Sequence, residues 1–345
     1  MNKIIALFCF VLLFCNCQKE IKRTSSEFKA EIGPVSPYVW SQIPLTLPAN
    51  NPVFTPDQET VLAQNGSETY IGMGSFKENE FKFNVSTQQW VGLAGNNVFF
   101  AKGVQSFNLL FKYNGAWYWG LSEWQPNIDP TLFIRKVPEV EGFQSLAPFP
   151  GTIVSAPLTF VIGNKGYLLG GALGNSTSNQ FWEYNFLTSQ WVNRGVSPLG
   201  KRAGAIAFVK DNKVYAGLGF TKIQLNGQSI TQYQNDWYLI DPSATTGLAT
   251  IKSSFPGSKR AYAKGFSINN KFYLGWGEGA NTAYFTDFWE YDPNANAWQV
   301  KSNCPVSNTG RENIQVFAIG NTGYLTKGGL NQFWRYSNST IGPSN

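Results

Sequence analysis

One phrase recurs along this chain and limits it to very few folds. It begins with a short apolar strand holding a Tyr, followed by glycines and then a pair of aromatics. In the fullest copies, an aromatic seven residues before a Trp completes it. The clearest copy has Tyr167, Gly170-Gly171, Phe181-Trp182, Tyr184 and Trp191, and a second has Tyr273, Gly275-Trp276-Gly277, Phe288-Trp289, Tyr291 and Trp298. The anchor tyrosines are Tyr70, Tyr118, Tyr167, Tyr215, Tyr273 and Tyr324, 48 to 58 residues apart. One such unit cannot bury both faces of its own sheet. Copies stacked around an axis can, so the repeat predicts an all-β, six-bladed propeller.

Within the fourth unit, Ala203 to Val209 is small and apolar, as an innermost strand near a crowded axis must be. Lys213 to Gly217 and Asp236 to Ile240 follow as second and third strands, and Gln190-Trp191-Val192 is the outermost strand of the third unit. The stretches Phe220 to Asn235 and Pro242 to Thr250 lengthen the fourth unit; both are polar and are expected to be loops. The segments Phe83 to Trp90, Tyr184 to Trp191 and Tyr291 to Trp298 share one spacing. Their Asn, Asp, Ser and Pro residues supply a turn across which the flanking aromatics can meet. Diglycine followed by this aromatic–Trp spacing resembles the kelch repeat over roughly residues 60 to 340. Unit two has no Trp in its outer strand, where Phe143 is the candidate substitute. Repeat-register aromatics and glycines read as wedges and close-packing points between blades.

The last unit ends at Phe333-Trp334-Arg335-Tyr336 with no Trp beyond, whereas Tyr38-Val-Trp40 upstream of unit one resembles an outer strand. The segment around Trp40 is therefore expected to complete the last blade and remove an open sheet edge. This places the propeller at residues 37–341. Residues 1–16 have one lysine ahead of an apolar run, Ile4 to Cys15, which reads as a signal peptide. The cluster ending at Cys17 resembles a bacterial lipoprotein signal, with Cys17 lipidated and residues 17–36 as a tether; an ordinary secretory signal is the alternative. That reading implies an outer-membrane lipoprotein facing the periplasm or the cell surface, attached to the membrane by its anchor only.

Net charge is +6, but no basic run exceeds two residues, so no nucleic-acid footprint is present. The chain has no histidine, which excludes His-based acid–base catalysis and imidazole metal sites; no metal or cofactor is expected. Arg202, Arg260 and Arg311 each stand thirteen residues before an anchor Tyr, just ahead of an innermost strand and so near the channel mouth. The kelch resemblance implies that arginines at this register can line a ligand pocket. The alternative is an ion pair tying the blades, with Glu312 or Asp287 as partner. Glu278 and Tyr284, in the fifth unit's loop, and Trp124, in the second unit's, add acidic and aromatic groups to the same rim. Two functions stay open. One is a binding module for a glycan or protein at the channel mouth. The other is a sugar mutarotase similar to bacterial N-acetylneuraminate epimerases, with Glu278 and Arg260 or Arg311 as the working groups.

Overall fold

The computed structural model describes residues 38–44, 60–65, 68–73, 79–92, 108–121, 129–137, 140, 142–244, 248–307, 314–327 and 332–338. The expected signal peptide, tether and lipidation site at Cys17 lie outside these residues, as do Trp124, Arg311 and Glu312.

Six four-stranded antiparallel sheets form the six blades of a propeller. In blade 4 the strands are Ile206–Lys210, Lys213–Gly217, Trp237–Ile240 and Ala249–Ile251. The innermost strand thus starts three residues later than its composition implied, because Ala203 and Gly204 are spent on the approach to the axis. The sixth blade is closed as expected. Tyr38–Gln42 pairs antiparallel with Gln332–Asn338, placing Trp40 opposite Tyr336.

The outer-strand tryptophans all face the preceding blade. Trp191 of blade 3 meets Phe133 and Phe111 of blade 2, and Trp298 of blade 5 meets Trp237 of blade 4. Trp40 packs on Phe288 and Trp276 of blade 5, and Trp90 of blade 1 packs on Phe317 and Phe333 of blade 6. This last contact closes the ring. Edge-on and tilted aromatic pairs of this kind stabilise by about 0.5–1.5 kcal/mol each beyond the area they bury. In blade 2 the outer strand is Gln144–Ser145, and Phe143 is half exposed, so it does not replace the missing Trp. Phe149, buried in the link to blade 3, packs edge-on against Trp182 and Trp191. Phe255 does the same to Trp289 and Trp298 one blade pair further on.

The turns between third and fourth strands follow the chemistry of their first polar residue. The Asn84, Asn185 and Asp292 side chains each accept two backbone N–H bonds from the turn. Gln88, Ser189 and Asn296 then adopt the left-handed region that lets the chain reverse.

One expected loop is ordered sheet. Phe220–Leu225 and Gln228–Tyr233 form a two-stranded hairpin with six register pairs. Its alternating Thr, Ile, Gln and Ser residues satisfy each other's backbone groups, so a polar insertion need not be irregular. The hairpin rests on blade 3, where Lys222 Nζ donates to the Gly174 carbonyl at 2.6 Å and Gln224 Nε2 and Ser229 Oγ donate to that of Asn175.

Candidate functional site

Strand order puts the links between blades and the loops between second and third strands on one face of the ring. The described candidates, Arg202, Arg260, Glu278 and Tyr284, belong to that face. Arg202 and Arg260 sit where the chain enters the innermost strands of blades 4 and 5, and their guanidiniums point into their own blades.

Arg260 is fully buried. Its Nη1 and Nη2 donate to the two Asp287 carboxylate oxygens at 2.6 and 2.7 Å, Nη1 also to the Trp276 carbonyl, and Nε to the Ser258 carbonyl. Its Cζ lies over the Phe255 and Phe285 rings, 4.8 and 4.2 Å from their centroids. Arg202 repeats the plan, reaching both Asp236 oxygens at 2.5 and 2.7 Å and the carbonyls of Leu218 and Leu199. The cationic arc expected from the register is not formed by these two residues. Of the two readings, the ion pair is the one seen, with Asp287 the partner in blade 5, although the tie runs within a blade rather than between blades.

The carbonyls they hold explain the need. Leu218 and Trp276 occupy the first position of the paired-glycine turn and adopt positive φ, 59° and 57°. A bulky residue there is strained, and a charge-assisted bond to its carbonyl offsets that strain. Blade 3 has glycine at this position, Gly170, and Val154 in the arginine register. There the Gln180 amide alone bonds the Gly170 carbonyl and both backbone groups of Thr152.

Glu278 and Tyr284 are brought together. Glu278 exchanges backbone hydrogen bonds with Ala261 at 2.9 Å and bridges to Tyr284. Its carboxylate is buried, and Tyr233, at the end of the blade 4 hairpin, donates its hydroxyl to Oε1 at 3.3 Å. Tyr284 stands 41% exposed at the rim, beyond a short 3-10 turn, Ala280–Thr282. Three aromatics continue the cluster inward. The Phe220 ring lies 6.3 Å from Tyr233 and 5.8 Å from Tyr262.

Tyr262 is the residue that sequence reasoning missed. It takes φ 57° at a register where blades 3 and 4 carry Ala156 and Gly204, and its N–H donates to the Gly204 carbonyl of the neighbouring blade. A Cβ on Gly204 would lie 3.3 Å from the Tyr262 ring, so the phenol crosses the blade boundary close to the axis. A large aromatic where the two preceding units carry Ala156 and Gly204 was the available signal.

No protein-family model matches the chain. The N-acetylneuraminate epimerase of Yersinia enterocolitica is 32% identical over 130 residues, 35% of this chain and 29% of that protein. That of Escherichia coli K12 is 29% identical over 141 residues, 39% of this chain and 34% of the relative. The chain therefore spans about a third of the length of the curated relatives it matches. The solved structure of YjhT superposes with a TM-score of 0.51 at 18% identity, covering 64% of this chain and 71% of that one. These similarities and the six-bladed ring fit a distant kelch-like propeller family.

Proposed function

We propose that this propeller is a binding module that takes a glycan at the mouth formed by the blade 4 hairpin and the Glu278–Tyr284 loop, carried on the outer membrane by a lipid on Cys17. The observation that carries the reading is a row of polar aromatics at the channel end of the ring: Tyr233 donating to the buried Glu278 carboxylate, Tyr262 reached through Phe220, and the exposed Tyr284 bridged to the Glu278 backbone. Phenol rings offer apolar faces to the C–H face of a sugar, while a carboxylate and the hairpin's exposed amides accept from and donate to its hydroxyls. Arg202 and Arg260 are occupied within their blades, so the site suits neutral polar groups better than a dense anion.

Glycan-array screening followed by calorimetry on the hits tests this. Tyr284→Ala should weaken binding by about tenfold or more, the scale of losing one stacked ring. Replacing residues 221–232 with a short Gly-Ser link should abolish binding while leaving the melting transition in place. A hit whose affinity is indifferent to both changes would refute the location.

The similarity to N-acetylneuraminate epimerases favours one second reading, a sugar mutarotase. Glu278 would exchange a proton with the anomeric hydroxyl while Tyr233 holds the carboxylate. Anomer exchange of N-acetylneuraminate followed by NMR, running at the background rate with pure protein, would eliminate it.

A further inference from the structure

The loop between the second and third strands of blade 5 turns on a residue that resists the turn. Asn281 and Thr282 stand together in the left-handed region, with φ 56° and 55°. Asparagine tolerates this conformation, but a β-branched residue is crowded there between its Cβ and the carbonyl oxygen. The two preceding blades make their reversals with glycine. Gly174 takes φ 51° between Ala172–Leu173 and Ser176–Thr177 in blade 3. Asn226-Gly227 takes 51° and 76° at the tip of the blade 4 hairpin. Blade 5 thus carries Thr282 where blade 4 has the glycine of an Asn-Gly turn.

Packing does not demand that choice, since Ala280, Asn281, Thr282 and Ala283 are all exposed. The backbone closes the loop by itself. The Gly279 N–H donates to the Ala283 carbonyl at 2.8 Å, and the Ala283 N–H to that of Ala280 at 3.2 Å. The turn lies beside Gln228–Tyr233, the second strand of the blade 4 hairpin. Its hydroxyl is already oriented: Thr282 Oγ1 donates to the Asn281 carbonyl at 2.6 Å, so what it retains for a ligand is its lone pairs. The exposed Asn281 amide offers donors and an acceptor next to it. Backbone strain of this kind clusters where a ligand is gripped.

We propose that Thr282 and Asn281 read the hydroxyls of a neutral pyranose whose ring lies on Tyr284, two residues further on. This rests on the reading of the mouth as a glycan site. A sugar O–H donates to Thr282 Oγ1, and the Asn281 amide donates to a neighbouring sugar oxygen. Glycine at position 282 would relax the turn but remove the acceptor. The exposed groups of the loop are a hydroxyl, an amide and a phenol, which match sugar hydroxyls and carry no charge for a carboxylate or an ammonium.

The test is a saturation-transfer NMR titration with methyl β-D-glucopyranoside, methyl β-D-galactopyranoside and methyl α-D-mannopyranoside, run on the parent protein and on variants. At least one probe should bind the parent. Thr282→Val keeps the branched shape and loses the hydroxyl, so it should weaken that binding about fivefold, the scale of one neutral hydrogen bond. Thr282→Ser should stay within about twofold of the parent. Thr282→Gly should bind as weakly as Thr282→Val yet melt about 1–2 °C higher, because the strain is gone. Parent-like binding by Thr282→Val, with Tyr284→Ala weakened, would overturn this proposal and leave the glycan site standing. A Thr282→Gly variant that melts at or below the parent would overturn it too, since the turn would then not be strained. Binding of none of the three probes to the parent would overturn it together with the glycan site.

Discussion

Removing Arg260 tests whether its register serves the fold or the ligand. In Arg260→Ala, Asp287 loses its bidentate partner, and the Trp276 carbonyl, on a strained residue, loses its donor. Breaking a buried pair from one side costs about 3–5 kcal/mol. The Asp287 side chain is 29% exposed and can recover some hydration, so the lower end, about 3 kcal/mol, applies. At about 2.1 cal/mol/K of unfolding entropy per residue, a propeller of this length shifts by roughly 1.5 °C per kcal/mol, giving a fall of roughly 5 °C in Tm. Scanning calorimetry would measure it. Arg260→Ala, Asp287→Ala and the double variant complete a cycle in which the double variant should be less destabilised than the sum of the singles. If Arg260→Ala melts within about a degree of the parent, the clamp is not what the arginine is for. A loss of glycan affinity with an unchanged transition would return it to the binding site.

Other outcomes follow from the same geometry. Trp40→Ala removes the ring wedged between blade 5 and Tyr336 and should cost about 3 kcal/mol, read as a lower urea midpoint; an unchanged midpoint would argue against closure through Tyr38–Gln42. Gly277→Ala should destabilise by about 2 kcal/mol or more, since φ is 89° and an added Cβ would lie 2.5 Å from the Ala261 oxygen; a near-neutral variant would refute the close approach. Burial alone would push the Glu290 carboxyl pKa up, but hydrogen bonds from Lys271, Lys301 and Tyr273 outweigh it and hold the value below the ordinary range. A lowered folded pKa contributes stability that is complete above the unfolded carboxylate value, about 4.3, and is lost as pH falls through the folded one. Tm should therefore hold from about pH 5 upward and drop in acid, and the acid drop should shrink in Glu290→Gln. Burial also pushes the Cys304 thiol well up, so iodoacetamide at pH 8 should label it only after unfolding.

The blade count, the ring-closing strand and the wedging tryptophans were legible in the chain because a repeat turns tertiary packing into a local pattern. Each Trp reports a neighbour at a fixed distance in sequence, and the Trp40 segment reports a missing partner. The turn chemistry at Asn84, Asn185 and Asp292 was equally local. The direction of the arginines was not local. Register puts Arg202 and Arg260 beside the channel, but which way a guanidinium turns depends on Asp236 and Asp287, 34 and 27 residues away, and on carbonyls strained by the turn they sit in. The blade 4 insertion read as loop because polar residues satisfy either a loop or a solvated hairpin, and only its rest on blade 3 separates the two. Tyr262 lies at a register where the neighbouring blades 3 and 4 carry Ala156 and Gly204, so the sequence marks it as a departure from its neighbours. Only the folded propeller shows that its ring meets Gly204 across the blade boundary, because that setting is made by a residue of the neighbouring blade.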